Sequence, residues 1–147
     1  MGSLNNIPAE VRVGGRARSF KAEVRDRLEQ RLEEIAHATA ATFNCEADVA
    51  YKRRCPPTVN ASEQVDIALV ATREAMGDDQ VIENMQPLSG SEDFSFVLEK
   101  VPGCYVFIGN GMTGPDEFVH APRYDFSDEI TARGVAYWTE MVRADLP

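Results

Sequence analysis

From Lys21 to Phe43, apolar positions fall at Val24, Leu28, Leu32, Ile35, Thr39 and Phe43, in steps of three and four that lay one greasy stripe along a helix. Glu29, Arg31, Glu33 and Glu34 lie mainly off that stripe, and Asn44 follows as a stop. The flanking sequence supplies strand patterns. Glu10-Val11-Arg12-Val13 alternates and Phe20 closes its segment, while Ala47 to Lys52 sets Val49 and Tyr51 on one face. Gly14-Gly15 marks a bulge or a close backbone approach. The expected order is strand, helix, strand. Two strands around one helix cannot bury both faces of their own sheet, so a further N-terminal part is expected to complete the unit.

Pro56-Pro57 interrupts regular structure and marks the expected boundary between residues 1–56 and 57–147. Beyond it, Asn60-Ala61-Ser62-Glu63 spells a capping box for a helix running to about Met76, with Gly77 as its terminator. Val81-Ile82 is a short strand candidate. Ser89-Gly90-Ser91-Glu92 starts another helix that carries Phe94, Val97, Leu98 and Val101 on one face and ends at Pro102. Cys104 to Ile108 is a continuous apolar run of strand length, the kind buried on both faces of a parallel sheet. Gly109-Asn110-Gly111 opens a polar loop leading to His120, and a last helix from about Ser127 to Ala144 turns Ile130, Gly134, Trp138, Met141 and Val142 inward. The expected class is α/β.

Size and charge exclude more than they select. The 147 residues suit one ordinary domain, at 44% hydrophobic and 27% charged. A net charge of -9 opposes a nucleic-acid partner, because phosphate binding needs clustered Lys and Arg. No apolar run reaches the roughly 18 residues of a membrane span, and Met1-Gly2 lacks the Ser or Thr at position 6 that lipidation requires. Cys45, Cys55 and Cys104 form an odd set without Cys-x-x-Cys spacing, which fits reduced thiols in a cytoplasmic protein.

Only two histidines are present. His37 lies one turn from Glu33 and Glu34 and reads as a solvated helical residue. His120 follows a glycine-rich loop after an apolar run, where α/β proteins collect functional residues, and Pro122 stiffens the backbone beyond it. Asp93, Asp116, Glu117, Asp125 and Asp128 match no closed zinc spacing. His-Glu-x-x-His, Gly-x-Ser-x-Gly and phosphate-loop motifs are absent.

Five ordered segments carry a resemblance. They are Ser3-Leu4-Asn5-Asn6-Ile7-Pro8, Gly15-Arg16-Ala17-Arg18-Ser19-Phe20, Tyr51 to Asn60, Gly90-Ser91-Glu92-Asp93-Phe94, and Val119-His120-Ala121-Pro122-Arg123-Tyr124-Asp125-Phe126. Together they resemble the C-terminal part of the amidohydrolases that include hippurate hydrolase, N-acyl-amino-acid deacylases and auxin-conjugate hydrolases, within the aminoacylase and carboxypeptidase metallopeptidases. The resemblance implies a partial ferredoxin-like lid, strand-helix-strand, over residues 1–56, the second half of a lid and dimerisation domain. Residues 57–147 would be the C-terminal portion of a two-metal peptidase α/β catalytic domain. It further implies His120 as the last metal ligand, for zinc or manganese, Asn5 and Arg18 as contacts to the carboxylate end of an N-acyl amino acid, and Gly90-Ser91 as a wall of the substrate cleft. Asn6, Lys21 and Ser89 depart from the usual residues, Lys21 in place of a helix-capping Asp.

The family's Cys-Gly-His-Asp segment, its Glu-Glu pair and its lid histidine have no counterpart in this sequence. The Glu-Glu pair would supply the general base that activates metal-bound water. The expectation is therefore a fragment of an amidohydrolase, inactive alone, with no catalytic base of its own. The alternatives are a non-catalytic interaction module, dimeric through an open sheet edge at residues 9–20, and a half-enzyme completed by a separate N-terminal chain.

Overall fold

A computed structural model describes residues 5–111, 114 and 116–146. Ser3 and Leu4 of the first family segment lie outside these residues. The elements are helices α1 (Ala22–Thr42), α2 (Ser62–Met76), α3 (Phe94–Leu98) and α4 (Glu129–Asp145), with a 3-10 turn at Asp78–Gln80. The chain divides into two compact units between Arg53 and Arg54.

Among the described residues there is no strand, which overturns the expected α/β class and the strand-helix-strand lid. Alternation and apolar runs state only which side chains prefer burial. A strand exists where its N–H and C=O groups find a ladder in a neighbour, and residues 9–20, 47–52, 81–82 and 104–108 find none. The run expected to be buried on both faces is instead open at Val106, Phe107 and Ile108.

In the first unit α1 falls where the 3.6-residue period puts it. Its start follows Lys21, which makes no capping hydrogen bond, as the departure from Asp implies. Its end is closed by Asn44, at φ 52°. The Cys45 N–H donates to the Ala40 carbonyl at 2.9 Å and the Asn44 N–H to the Ala41 carbonyl at 3.2 Å, the paired bonds of a Schellman ending. The stripe Val24, Leu28, Leu32 and Ile35 stays exposed along the helix. Arg53 returns beside it, its Nη1 2.6 Å from Asp26 Oδ1 and its Nε 2.7 Å from Glu29 Oε2.

The second unit is organised by α2 against α4. Ala68 and Ala71 present small side chains to the seam, and Tyr137, 4% exposed, is the large residue buried with them. The inward face of α4 is Ile130, Gly134, Tyr137 and Met141. Trp138 and Val142, expected inside, are 65% and 56% exposed. A helix stripe about 100° wide cannot hold Tyr137 and both of its apolar neighbours at once. α3 is shorter than its apolar pattern because the Ser89 to Glu92 stretch stays irregular and the helix begins after Asp93. Gly103 passes beneath it so closely that an added Cβ would lie 2.9 Å from Leu98 Cδ2.

The expected capping box does not form. Ala61 precedes α2 without a side-chain cap, and its N–H donates instead to the Gly103 carbonyl at 3.0 Å. The Asn60 side chain reaches Tyr105, which stitches the start of α2 to the apolar run. No helix among the described residues is long and apolar enough to cross a membrane.

Candidate functional site

The loop that carries His120 is anchored at both ends by one side chain. Leaving the apolar run, Asn110 donates from Nδ2 to the Asp125 carbonyl at 2.8 Å and accepts at Oδ1 from the Ser127 N–H at 2.8 Å. The same amide thus holds the chain as it enters α4. Ile108, two residues earlier, lies against α4 at Gly134, where an added Cβ would stand 3.8 Å from Ile108 Cδ1.

Within the loop, the Ala121 N–H donates to the Phe118 carbonyl at 2.9 Å, which makes Phe118 to Ala121 a hydrogen-bonded turn. His120 is its third residue, at φ 73°. A type II turn requires positive φ at that position, which glycine adopts freely and, among other residues, Asn, Asp and His adopt most readily. The Tyr124 N–H donates to the Ala121 carbonyl at 3.1 Å and continues the turning chain. Arg123 Nη2 pairs with Asp116 Oδ2 at 3.0 Å across the loop. The Gly114 N–H donates to Glu117 Oε2 at 2.9 Å, and the glycine leaves room for that carboxylate, which an added Cβ would approach to 2.6 Å. The imidazole-bearing residue is exposed.

The two loop carboxylates nearest His120 in sequence are therefore engaged, Asp116 by a guanidinium and Glu117 by a backbone amide. Among the described residues no three His, Cys, Asp or Glu side chains converge as a metal cage requires. One exposed imidazole does not fit a catalytic metal by itself, and no chemical step through a metal follows from this donor set.

The remaining expected site residues divide between the units. Asn5 and Arg18 are exposed in the first. Gly90 and Ser91 are exposed in the second, ahead of α3, and Gly90 has open space where a side chain would stand. Within the second unit, no hydrogen bond among the described residues joins Gly90 or Ser91 to His120. Asn110 carries no expected role in the sequence, and Asn60, expected to cap α2, bonds Tyr105 instead. The signal for Asn110 was an amide between two glycines, too common to weigh until the tertiary contacts are known.

Behind the loop, burial sets the electrostatics. It pushes the Cys104 thiol above its ordinary range. Tyr137 is raised by burial and then by the Cys104 charge. Tyr105 is raised by burial, then by repulsion from and hydrogen bonding to Glu92, and by Asp93.

The family model described as Peptidase family M20/M25/M40 matches residues 4–144. The chain is 32% identical over 146 residues to IAA-amino acid hydrolase ILR1-like 4 of Arabidopsis thaliana, covering 95% of this chain and 33% of that protein. It is 28% identical over 139 residues to hippurate hydrolase of Campylobacter jejuni, covering 95% of this chain and 36% of that protein. It is 31% identical over 124 residues to N-acetyl-L-cysteine deacetylase of Bacillus subtilis, covering 84% and 28%. The chain thus spans about a third of the length of the curated relatives it matches. No solved structure matches.

Proposed function

The chain belongs to peptidase family M20/M25/M40, a family of metal-dependent amidohydrolases, and from that premise we propose that it is part of an enzyme hydrolysing N-acyl amino acid amide bonds. In this reading His120 supplies one imidazole to a divalent zinc or manganese ion. Arg18 and Asn5 meet the substrate carboxylate, for which a planar guanidinium fork and an amide are suited. Gly90 and Ser91 line the cleft. Together with further ligands from outside this chain, His120 would help hold a divalent ion, which would supply Lewis-acid chemistry toward an amide carbonyl and water. The chain alone has neither the remaining ligands nor the general base, and it is inactive by itself.

The observation that carries the reading is the family match across residues 4–144, within which His120 stands exposed at the turn of a doubly anchored loop. The printed names of the relatives, IAA-amino acid hydrolase, hippurate hydrolase and N-acetyl-L-cysteine deacetylase, all describe cleavage of an N-acyl or amino-acid conjugate, which supports the substrate class. The three free thiols support a cytoplasmic setting. The test is metal analysis of the purified chain with an assay on hippurate. The expected result is little bound zinc or manganese and no hydrolysis. Near-stoichiometric metal together with turnover would overturn the claim of inactivity.

A second reading is a half-enzyme completed by a separate polypeptide, for which the exposed α1 stripe and the exposed Val135, Trp138 and Val142 face of α4 offer apolar surface. Sizing at several concentrations, with and without lysate proteins expressed beside it, separates this from self-association into a homodimer.

A further inference from the structure

We infer that Asn110 is a positioning residue for His120, acting through the backbone at the base of the loop. Its consequence for catalysis rests on the reading of His120 as a metal ligand, while its mechanical content does not. The amide uses both of its functions, a donor to the Asp125 carbonyl and an acceptor for the Ser127 N–H, each at 2.8 Å. It thereby joins the exit of the apolar run to the entry of α4. Ser127 is also where α4 is being nucleated, since its carbonyl accepts the Ile130 N–H at 3.1 Å. α4 is held in turn by Tyr137 in the core, so the clamp refers the loop to a packed helix rather than to solvent. Inside the loop, among the described residues, the Phe118–Ala121 turn is flanked by the contacts between Gly114 and Glu117, by the Tyr124 N–H bond to the Ala121 carbonyl and by the Arg123–Asp116 pair, the last solvent-exposed on both sides, where ion pairs contribute little. His120 at φ 73° sits in a region that non-glycine residues seldom occupy, so surrounding structure must hold the turn, and Asn110 ties the two ends of the loop together where the contacts inside it do not.

Asn60 provides a matched control. It makes the same pair of bonds in the same unit, to the backbone of Tyr105, but outside the His120 loop. The experiment follows backbone shifts and amide exchange by NMR in the full chain for N110A, N110D and N60A. N110A is expected to shift the His120 Cα resonance toward negative φ and to speed exchange of the Ala121 amide roughly tenfold. N110D keeps the acceptor and loses the donor, so it falls between, and it serves if N110A does not fold. N60A is expected to disturb Tyr105 and leave His120 in place. A His120 turn unchanged in N110A and N110D, or disturbed equally by N60A, overturns the inference. Zinc titration of the wild-type imidazoles, of which there are two, tests the ligand reading separately. A silent His120 there removes that reading without touching the exchange result.

Discussion

Asn60 grips Tyr105 by both of its backbone groups: Nδ2 donates to the Tyr105 carbonyl at 2.9 Å, and Oδ1 accepts from its N–H at 2.8 Å. One side chain does here what an adjacent strand would do in a sheet. The apolar run 104–108 thereby gains an anchored start without a ladder. Asn60→Ala leaves both groups of Tyr105 without that partner and is expected to cost about 1–2 kcal/mol. Urea unfolding followed by tyrosine fluorescence checks it, and an unchanged midpoint would show that the clamp adds nothing.

The seam between α2 and α4 is close because alanines line it. Ala71 is 1% exposed, so Ala71→Leu must push α4 away or force a poor rotamer, at about 1–3 kcal/mol. Val135→Leu on the open face of α4 is the comparison, and thermal unfolding should leave it near the parent. Equal loss at both positions would contradict the packing described.

His120 occupies left-handed backbone space, at φ 73°. Glycine adopts that conformation freely, so His120→Gly is expected to retain stability or gain up to about 1 kcal/mol. Valine, branched at Cβ, is expected to lose about 1–2 kcal/mol there. Denaturant midpoints for the two variants give the answer, and a valine variant as stable as the glycine one is the contrary result.

Cys104, Tyr105 and Tyr137 all titrate above their ordinary values because burial opposes their anions. A group whose folded pKa is raised contributes its stability in full below the unfolded value and loses it as pH climbs through the folded one. The window opens above the ordinary thiol value of 9.0 for Cys104 and above 10.0 for the two tyrosines. Stability should therefore be level below pH 9 and decline above it, with Cys104→Ser removing the earliest part of the decline. Alkylation should also reach exposed Cys45 before Cys104. A midpoint that rises between pH 9 and 11 would contradict this sign.

The long helices were legible in the sequence because their instructions are local. The 3.6-residue period from Val24 to Ile35 needs no knowledge of a partner, and α1 appears at Ala22–Thr42 as that period requires. Asn44 and Gly77 read correctly as stops because positive φ is a property of single residues. The capping box at Asn60 read wrongly because the same amide serves a helix end or a distant backbone equally well, and only tertiary contact chooses between them. Likewise Tyr137, Trp138 and Val142 are all apolar enough to face inward, and the packing against α2 admitted Tyr137.

By itself the sequence determined the three long helices, the stops at Asn44 and Gly77 and the five ordered segments that mark the family, all of which depend on short-range geometry or residue identity. The tertiary structure decided that the strand patterns stay unpaired, since a ladder needs a second segment whose groups arrive in register, and among the described residues none does. It also decided that two asparagines, rather than a sheet, hold the apolar run and the His120 loop. A side-chain amide carries one donor function and one acceptor function and can satisfy one stretch of backbone wherever the fold brings it near.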